Sequence, residues 1–275
     1  MLQAMDAPAL LLLGVGEVGL TIARMERGAR RVIGTTRQPE RIFELFHEEI
    51  EPIVMPWPSA EVIAPLAKGA DVVVSFPPDG STDAVLAPAC LESKSIVYVS
   101  STVVYGMEAG TIDDTTPTAE DNQPARLRIE AERIWRSLDA NVLRAPAIYG
   151  PSRGLHRRLQ DGSYRLPGDG TRISSRIHVD DLCTLILAVL NAGLKQQTWV
   201  VGDALPTSHN EVVSWLCDKL HLDKPPSVPL EEVHYTQRAN RKIDGSRILQ
   251  ELGVRLKYPT YKEGFTACLD QPRET

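Results

Sequence analysis

The chain lacks the basic excess of a nucleic-acid-binding surface. Its 30 lysines and arginines are outnumbered by 36 acidic residues, for a formal net charge of −6. The basic pieces it has, Arg24 to Arg31 and Arg153 to Arg158, are short and interrupted. They suit a small anionic ligand better than a duplex. Cysteine is scarce: Cys90, Cys183, Cys217 and Cys268 form no C-x-x-C pair and have no histidine at metal-ligand spacing, so no metal site is expected. Cys183 and Cys217 fall in apolar, helix-like runs and read as small buried side chains in a reduced, cytoplasmic protein. No long apolar run is present either. The stretch MLQAMDAPALLLLG has no positive region before an apolar run of about five residues, so it reads as a strand rather than a signal peptide or membrane span. Internal repeats and low-complexity tracts are absent. With 43% hydrophobic and 24% charged residues, disordered and fibrous classes drop out. A length of 275 residues allows one large α/β domain or a domain with a smaller lobe.

What is there is an alternation. The apolar runs ALLLL (9–13), RVIGT (31–35), EPIVM (51–55), ADVVVSF (70–76), SIVYVSS (95–101) and NVLRA (141–145) are separated by helical patterns. One of these runs through Arg27, another is PERIFELFH, and a third spans Ser81 to Glu92. Near-continuous apolar strands alternating with helices predict an α/β fold, a Rossmann-type doubly wound parallel sheet covered on both faces. After Gly150 the pattern changes. Loops rich in Gly, Arg and Pro (151–173) lead to IHVDDLCTLILAVLNAG, a helix with Asp180 or Asp181 near its start, and WVVGD (199–203) reads as one more strand. Ser208 and Glu211 form a capping box for NEVVSWLCDKL, and IDGSRILQELG is a helix stopped by Gly253. The expected division is a dinucleotide-type domain over 1–150, rejoined by 174–203, and a smaller lobe from 151–173 and 204–275.

The segment LLLLGVGEVGLTIAR carries G-x-G-x-x-G at Gly14, Gly16 and Gly19, directly after a strand and opening a helix. Gly14 suits a tight turn, Gly16 the approach of a pyrophosphate to the backbone, and Gly19 close packing of the helix on the sheet. The helix N-terminus at Glu17 and Val18 supplies N–H donors and the positive end of the dipole. This predicts dinucleotide binding. The second strand ends in VIGTTRQPE, and no carboxylate lies within two residues of Thr35, where an NAD-selective site would place one. Thr36 and Arg37 instead suit a 2′-phosphate, so NADP(H) is favoured and NAD(H) is the alternative.

YVSSTVVYG, NVLRAPAIYGP and SRIHVDD, in that order after the glycine loop, resemble the extended short-chain dehydrogenase/reductases of the NAD-dependent epimerase/dehydratase family. The C-terminal RKIDGSRILQELGVRLKYPTYKEG resembles its atypical, YeeZ-like bacterial branch. The resemblance runs from Leu10 to about Leu269. It implies a Rossmann domain for NAD(P) and a smaller C-terminal substrate lobe, a small-molecule substrate such as a nucleotide sugar, and a homodimer through helices flanking the sheet. No nucleic-acid or membrane partner is implied. By position, Ser101 matches the catalytic Ser/Thr, whose hydroxyl bonds a substrate carbonyl or alcohol, and Thr102 is the neighbour that shares that role. Ser75, Phe76 and Pro77 match the segment along the cofactor's adenosine side, with Ser100 also on the cofactor. Tyr149 and Gly150 match a Y-G-P turn, and His178 and Asp181 a helix start in which capping is the favoured role. Tyr105, Arg153 and Arg176 are candidate substrate contacts, beside Arg157, Arg158 and Arg172.

One feature departs from the resemblance. The family's acid/base tyrosine stands four residues before a lysine; aligned on Ala131-Glu132, those positions in DNQPARLRIEAERIW (121–135) are Pro124 and Arg128. Proline has no ionisable group, and arginine binds anions without cycling a proton. At helical spacing Leu127, Ala131, Ile134, Trp135 and Leu138 form one apolar stripe, with Arg128 at its edge beside Trp135. Arg128 is thereby placed to reach a cofactor ribose, and Arg126 to pair with Glu130 on the exposed side. Two readings follow: an atypical oxidoreductase or epimerase whose proton relay has moved to Tyr105, Tyr149, Ser101 or a water, or a non-catalytic NADP(H)-binding sensor. A third is an interaction protein that binds no nucleotide.

Overall fold

The computed structural model describes residues 7–270. Seven strands form the central parallel sheet: β1 (Leu10–Leu13), β2 (Val32–Thr36), β3 (Ile50–Val54), β4 (Asp71–Val74), β5 (Ser95–Ser101), β6 (Asn141–Ala145) and β7 (Thr198–Val200). Their order across the sheet is β7-β6-β5-β4-β1-β2-β3. The chain starts in the middle, winds outward through β2 and β3, then returns to the other side of β1 with β4. This is the doubly wound arrangement the sequence predicts, and its switch point lies between β1 and β4, where ligands bind in such sheets. All four leucines of β1 are fully buried, as expected for a strand covered on both faces. The residues 1–6 that precede this strand in the N-terminal stretch lie outside the described residues.

The predicted helices form with local adjustments. α1 is Glu17–Met25, after the glycine loop. The PERIFELFH pattern becomes a tight 3₁₀ turn (Pro39–Arg41) followed by α2 (Ile42–His47). The helix expected from Ser81 to Glu92 is regular only over Thr82–Leu86 and tightens to 3₁₀ geometry at Ala87–Cys90, where Pro88 supplies no N–H. The stretch from Asp121 forms one uninterrupted helix over Gln123–Arg136. Ser208 caps the helix His209–Leu220 by accepting the Glu211 N–H at 3.2 Å, and Gly253 ends Ser246–Leu252 at a φ of 63°.

The described chain divides into two compact units with a different partition from the expected one. The first takes in the residues up to Ser100, Arg126–Leu143 and Cys183–Thr198; the second takes Ser101–Ala125, Arg144–Leu182 and the residues from Trp199 on. Residues 101–125 and 144–150 thus group with the second unit, and the returning segment is shorter than 174–203. Each unit has its own core. The first packs Leu11, Val72, Tyr98, Ala131, Trp135 and Val142 around the sheet. The second packs Tyr149, Tyr164, Val212, Leu216, Tyr261 and Phe265. All four cysteines are free and buried, in line with the reading of small core side chains. Among the described residues no helix is long and apolar enough to cross a membrane.

Candidate functional site

In the first unit the chain leaves β1 through Gly14, whose φ of 87° is open to glycine at little cost. A Cβ there would also stand 2.9 Å from the Phe76 Cβ, so Gly14 lets the loop lie against the segment leaving β4. That segment is bonded to the loop: the Ser75 hydroxyl donates to the Gly14 carbonyl at 2.7 Å. Thr35 holds the loop from the other side, its Oγ1 accepting the Gly14 N–H at 2.8 Å. Gly16 is different. A Cβ on it would meet nothing within 4 Å, and it precedes α1 with no side-chain cap. The space beside Gly16, at the start of α1, is therefore not filled by any described side chain. Backbone donors at a helix N-terminus with no side chain in the way fit a dinucleotide pyrophosphate. At Gly19 an added Cβ would stand 3.3 Å from Val15 Cγ1, so glycine keeps that approach close.

Several predicted cofactor residues have defined internal partners. Thr35 serves the loop as described, and the Thr36 hydroxyl accepts the Gln38 N–H at 3.2 Å, which starts the turn into α2. Phe76 packs against the core, while Pro77 is exposed. Ser100 is buried, and its hydroxyl donates to the Glu132 carboxylate at 2.5 Å. Arg37 donates to Asp79 Oδ2 at 3.0 Å and to Thr82 Oγ1 at 2.9 Å. The basic run before β2 is neutralised internally: Arg24 and Arg27 pair with Glu48, Arg30 with Asp71, and Arg31 with Glu51. Those arginines do not form the small-anion patch the sequence suggested.

The helix Gln123–Arg136 starts ahead of Arg126, with the Asn122 side chain accepting the Ala125 N–H at 2.9 Å. Pro124 sits in the first turn, where its missing N–H costs no helical bond. The apolar stripe is as expected, with Ala131 and Trp135 buried. Arg128 lies at its edge and donates from Nη1 to the Tyr98 hydroxyl at 3.1 Å, with the Val99 carbonyl at 3.4 Å. Its guanidinium stands 5.9 Å from the centre of the Tyr98 ring, and Trp135 stacks on the same tyrosine. Glu130 receives Arg133, one turn on, at 2.5 Å.

In the second unit, Ser101 ends β5 and its Oγ accepts the Val103 N–H at 3.3 Å, capping a 3₁₀ turn over Thr102–Tyr105. Ser101 is half-buried and keeps its hydroxyl proton to donate; Thr102 is buried. Neither candidate tyrosine is open to a substrate. Tyr105 is 0% exposed, receives the Arg144 Nη1 at 3.0 Å, and has the Asp113 carbonyl at 3.5 Å. Tyr149 is 2% exposed, lies on Phe265, and is so close beneath Gly264 that a Cβ there would stand 2.0 Å from its hydroxyl. Burial also pushes its hydroxyl far above the usual titration range. Alternating polarity reveals which face of a strand is polar, but not that both rings end up in the core.

His178 and Asp181 make structural hydrogen bonds, but only His178 caps the helix start, while Asp181 ties down a distant loop. The Asp181 carboxylate accepts the N–H groups of Lys257 and Tyr258 at 2.7 and 3.0 Å, and His178 Nδ1 accepts the Asp180 N–H at 3.1 Å. Burial lowers His178 to about 4. Arg153 is exposed, in a tight turn whose backbone pairs with Gly150. Arg157 donates to the Pro151 carbonyl, Arg172 to the Arg238 carbonyl, and Arg158 lies over the Tyr164 ring. Arg176 is 5% exposed, 5.5 Å from the centre of the Tyr261 ring, and its Nη1 is buried without a hydrogen-bond partner. Asp203 is also buried with Oδ2 unpartnered; burial, opposed by Arg176, raises it to about 7.

Sequence reasoning missed three residues of the first unit. Gly34 in β2 gives way to Val15, since a Cβ there would lie 2.5 Å from Val15 Cγ2; a glycine inside a strand was the available signal. Arg41 pairs with Glu44 three residues on, as helical spacing allows, but it also donates to the Val15 carbonyl, which no spacing rule would give. Asp79 is the Asp of a Pro-Pro-Asp-Gly turn signal, but its partner Arg37 comes from the distant segment after β2.

Residues 81–202 match the family model for the NAD dependent epimerase/dehydratase family; the glycine loop lies outside the match. Protein YeeZ of Escherichia coli (strain K12) is 26% identical over 167 residues, 60% of this chain and 58% of that protein. A dTDP-glucose 4,6-dehydratase of Streptomyces griseus is 29% identical over 175 residues, 58% of this chain and 53% of that enzyme. The chain therefore matches less than two thirds of the length of either relative. A solved structure of a functionally unknown conserved protein from Silicibacter pomeroyi superposes with a TM-score of 0.83 at 28% identity, covering 96% of this chain and 98% of that one. Over residues 81–202 the chain is thus similar to the NAD dependent epimerase/dehydratase family, and its fold as a whole resembles the solved structure from Silicibacter pomeroyi.

Proposed function

We propose that the chain binds a nicotinamide dinucleotide on Gly14, Gly16 and Gly19 and acts as an atypical oxidoreductase or epimerase on a hydroxyl or carbonyl of a sugar-nucleotide-type substrate. The observation that carries the binding half is the open space over Gly16 beside the uncapped start of α1. When bound, the nicotinamide would supply hydride chemistry; the protein's part is to hold the pyrophosphate and orient the substrate. Ser101 is the donor offered to a substrate oxygen, with Thr102 beside it in sequence. Arg153 and Arg176 are the cations offered to substrate phosphates, and the buried Nη1 of Arg176 without a partner supports that role. The dehydratase relative's name supports the substrate class. A family dimer remains part of the proposal.

A second reading, a dinucleotide-binding sensor without turnover, is favoured by specific observations. Pro124 occupies the tyrosine position, Arg128 is bonded to Tyr98, and Tyr105 and Tyr149 are buried. On the enzyme reading, the burial of both tyrosines supports Ser101 or a water as the relay. The two readings separate in one screen: the full chain is incubated with NAD(H) or NADP(H) and a panel of nucleotide sugars, following both thermal shift and nicotinamide absorbance. Turnover lost in Ser101→Ala supports the enzyme, whereas cofactor binding without any turnover supports the sensor. No response to any dinucleotide would leave the interaction-protein reading.

The sequence expectation of NADP(H) rests on Thr36 and Arg37. The bond from Arg37 to Asp79 weighs the other way.

A further inference from the structure

β2 and β4 are the two neighbours of β1 in the sheet. A bond between the segments leaving their carboxyl ends therefore passes over the carboxyl end of β1, where the glycine loop turns. Arg37, one residue beyond β2, and Asp79, five beyond β4, make that bond. The partners are held unequally. Asp79 accepts the Ser81 N–H at 2.9 Å, the Ser81 hydroxyl at 3.1 Å, the Thr82 N–H at 2.8 Å and the Thr82 hydroxyl at 2.6 Å. Among the described residues Arg37 is held only by Asp79 and Thr82, and its side chain is 59% exposed. Asp79 is the fixed post, and Arg37 is the arm that comes to it.

We propose that Asp79 sets the cofactor choice of this site in favour of NAD(H), by occupying the guanidinium that a 2′-phosphate would need. The proposal rests on the dinucleotide reading above. NADP(H) differs from NAD(H) by that phosphate alone, so selectivity is decided by the charge that meets it. A phosphate approaching Arg37 meets a guanidinium already bearing a carboxylate, and it comes within roughly 6 Å of a second negative group. At that range two like charges repel enough, even in an exposed setting, to cost about tenfold in affinity. Asp79 does not relieve the clash by taking a proton. Burial pushes its carboxyl up, but the bonds from Thr82, Ser81 and Arg37 outweigh it and hold the group well below the usual carboxylate range. The neutral 2′-hydroxyl of NAD(H) meets no such opposition. The carboxylate missing from the end of β2 in the sequence is supplied from the β4 side, bound to the residue just beyond that end.

The test is isothermal titration of the full chain with NADH and with NADPH, using the parent, Arg37→Ala, Asp79→Asn and the double variant. Asparagine keeps an acceptor for the Ser81 and Thr82 N–H groups, and Arg37 is exposed enough for alanine to leave the fold intact. The parent should bind NADH at least about tenfold tighter than NADPH. Asp79→Asn should tighten NADPH by about tenfold while NADH stays within about twofold, and adding Arg37→Ala should abolish the gain. Arg37→Ala alone should change NADPH affinity by less than about threefold, since the guanidinium is already taken. A parent that prefers NADPH, an Asp79→Asn variant with unchanged NADPH affinity, or a large NADPH loss in Arg37→Ala alone would overturn the proposal. If the folded parent and all variants bind neither cofactor, the dinucleotide reading itself fails and takes this one with it.

Discussion

Arg128 donates to the hydroxyl of Tyr98 at 3.1 Å, joining the helix Gln123–Arg136 to β5 through a charged donor and a buried acceptor. The residue in the family's lysine position is therefore part of the frame of the first unit. Hydrogen bonds to charged groups contribute about 1.5–3 kcal/mol, and an orphaned buried partner costs about as much. Arg128→Met should lower stability to denaturant by about 1–3 kcal/mol. An unchanged midpoint and slope would show that the bond contributes nothing.

Ser101 is half-buried, its oxygen caps the turn at Val103, and its proton remains available. If a nucleotide sugar is turned over, Ser101→Ala should reduce the rate by about a hundredfold or more, with NADH affinity altered by less than about threefold. A rate equal to the parent's removes Ser101 from the reaction. A rate and an affinity that fall together point to a disturbed fold instead.

Gly34 faces Val15 and Ile50 so closely that a Cβ would stand 2.5 and 2.7 Å from their methyl groups. Gly34→Ala should destabilise by about 1–3 kcal/mol, since the crowding lies in packed core. It should also weaken dinucleotide binding, because Val15 is in the glycine loop. Equilibrium unfolding and titration read the two effects separately; a fully stable variant would mean that β2 and the loop move apart at no cost.

Asp203 is buried, and its carboxyl is raised from the usual 3.8 to about 7. Between these values the native state keeps a proton that the unfolded state has lost, so this group's contribution falls as pH rises from about 4 to about 7 and is level above. Asp203→Asn removes that loss. Its melting temperature should gain on the parent's as pH rises through this window, and the difference should be larger at pH 8 than at pH 5. A difference that is constant with pH contradicts the assignment.

The fold was legible because burial on both faces writes itself as continuous apolar runs. All seven central strands fall within or one residue beyond the segments read from the sequence, and the Ser208 cap and Gly253 stop are local features that need no tertiary context. The candidate site was legible only in its backbone. Gly14 and Gly16 could be assigned from spacing because their roles are steric. Side-chain roles could not, because they depend on pairings across the sheet. Arg37 meets Asp79 42 residues away, Gly14 meets Thr35 21 residues away, and Ser100 meets Glu132 32 residues away. Tyr105 and Tyr149 stand beside turn residues, a pattern that suggests exposure, yet Arg144 encloses the first and the helix Tyr261–Asp270, at Gly264, the second.

The proposed function depends most on a dinucleotide pyrophosphate lying against Gly16. Gly16 has a φ of −101°, which valine adopts without strain, and nothing stands within 4 Å of where its Cβ would be. Gly16→Val should therefore leave the unfolding midpoint unchanged while filling the space the pyrophosphate needs. Titration of NADH into parent and variant is the most direct measurement. The parent should bind saturably, and a variant of equal stability should lose about a hundredfold or more in affinity. Equal affinity in the two proteins would contradict it.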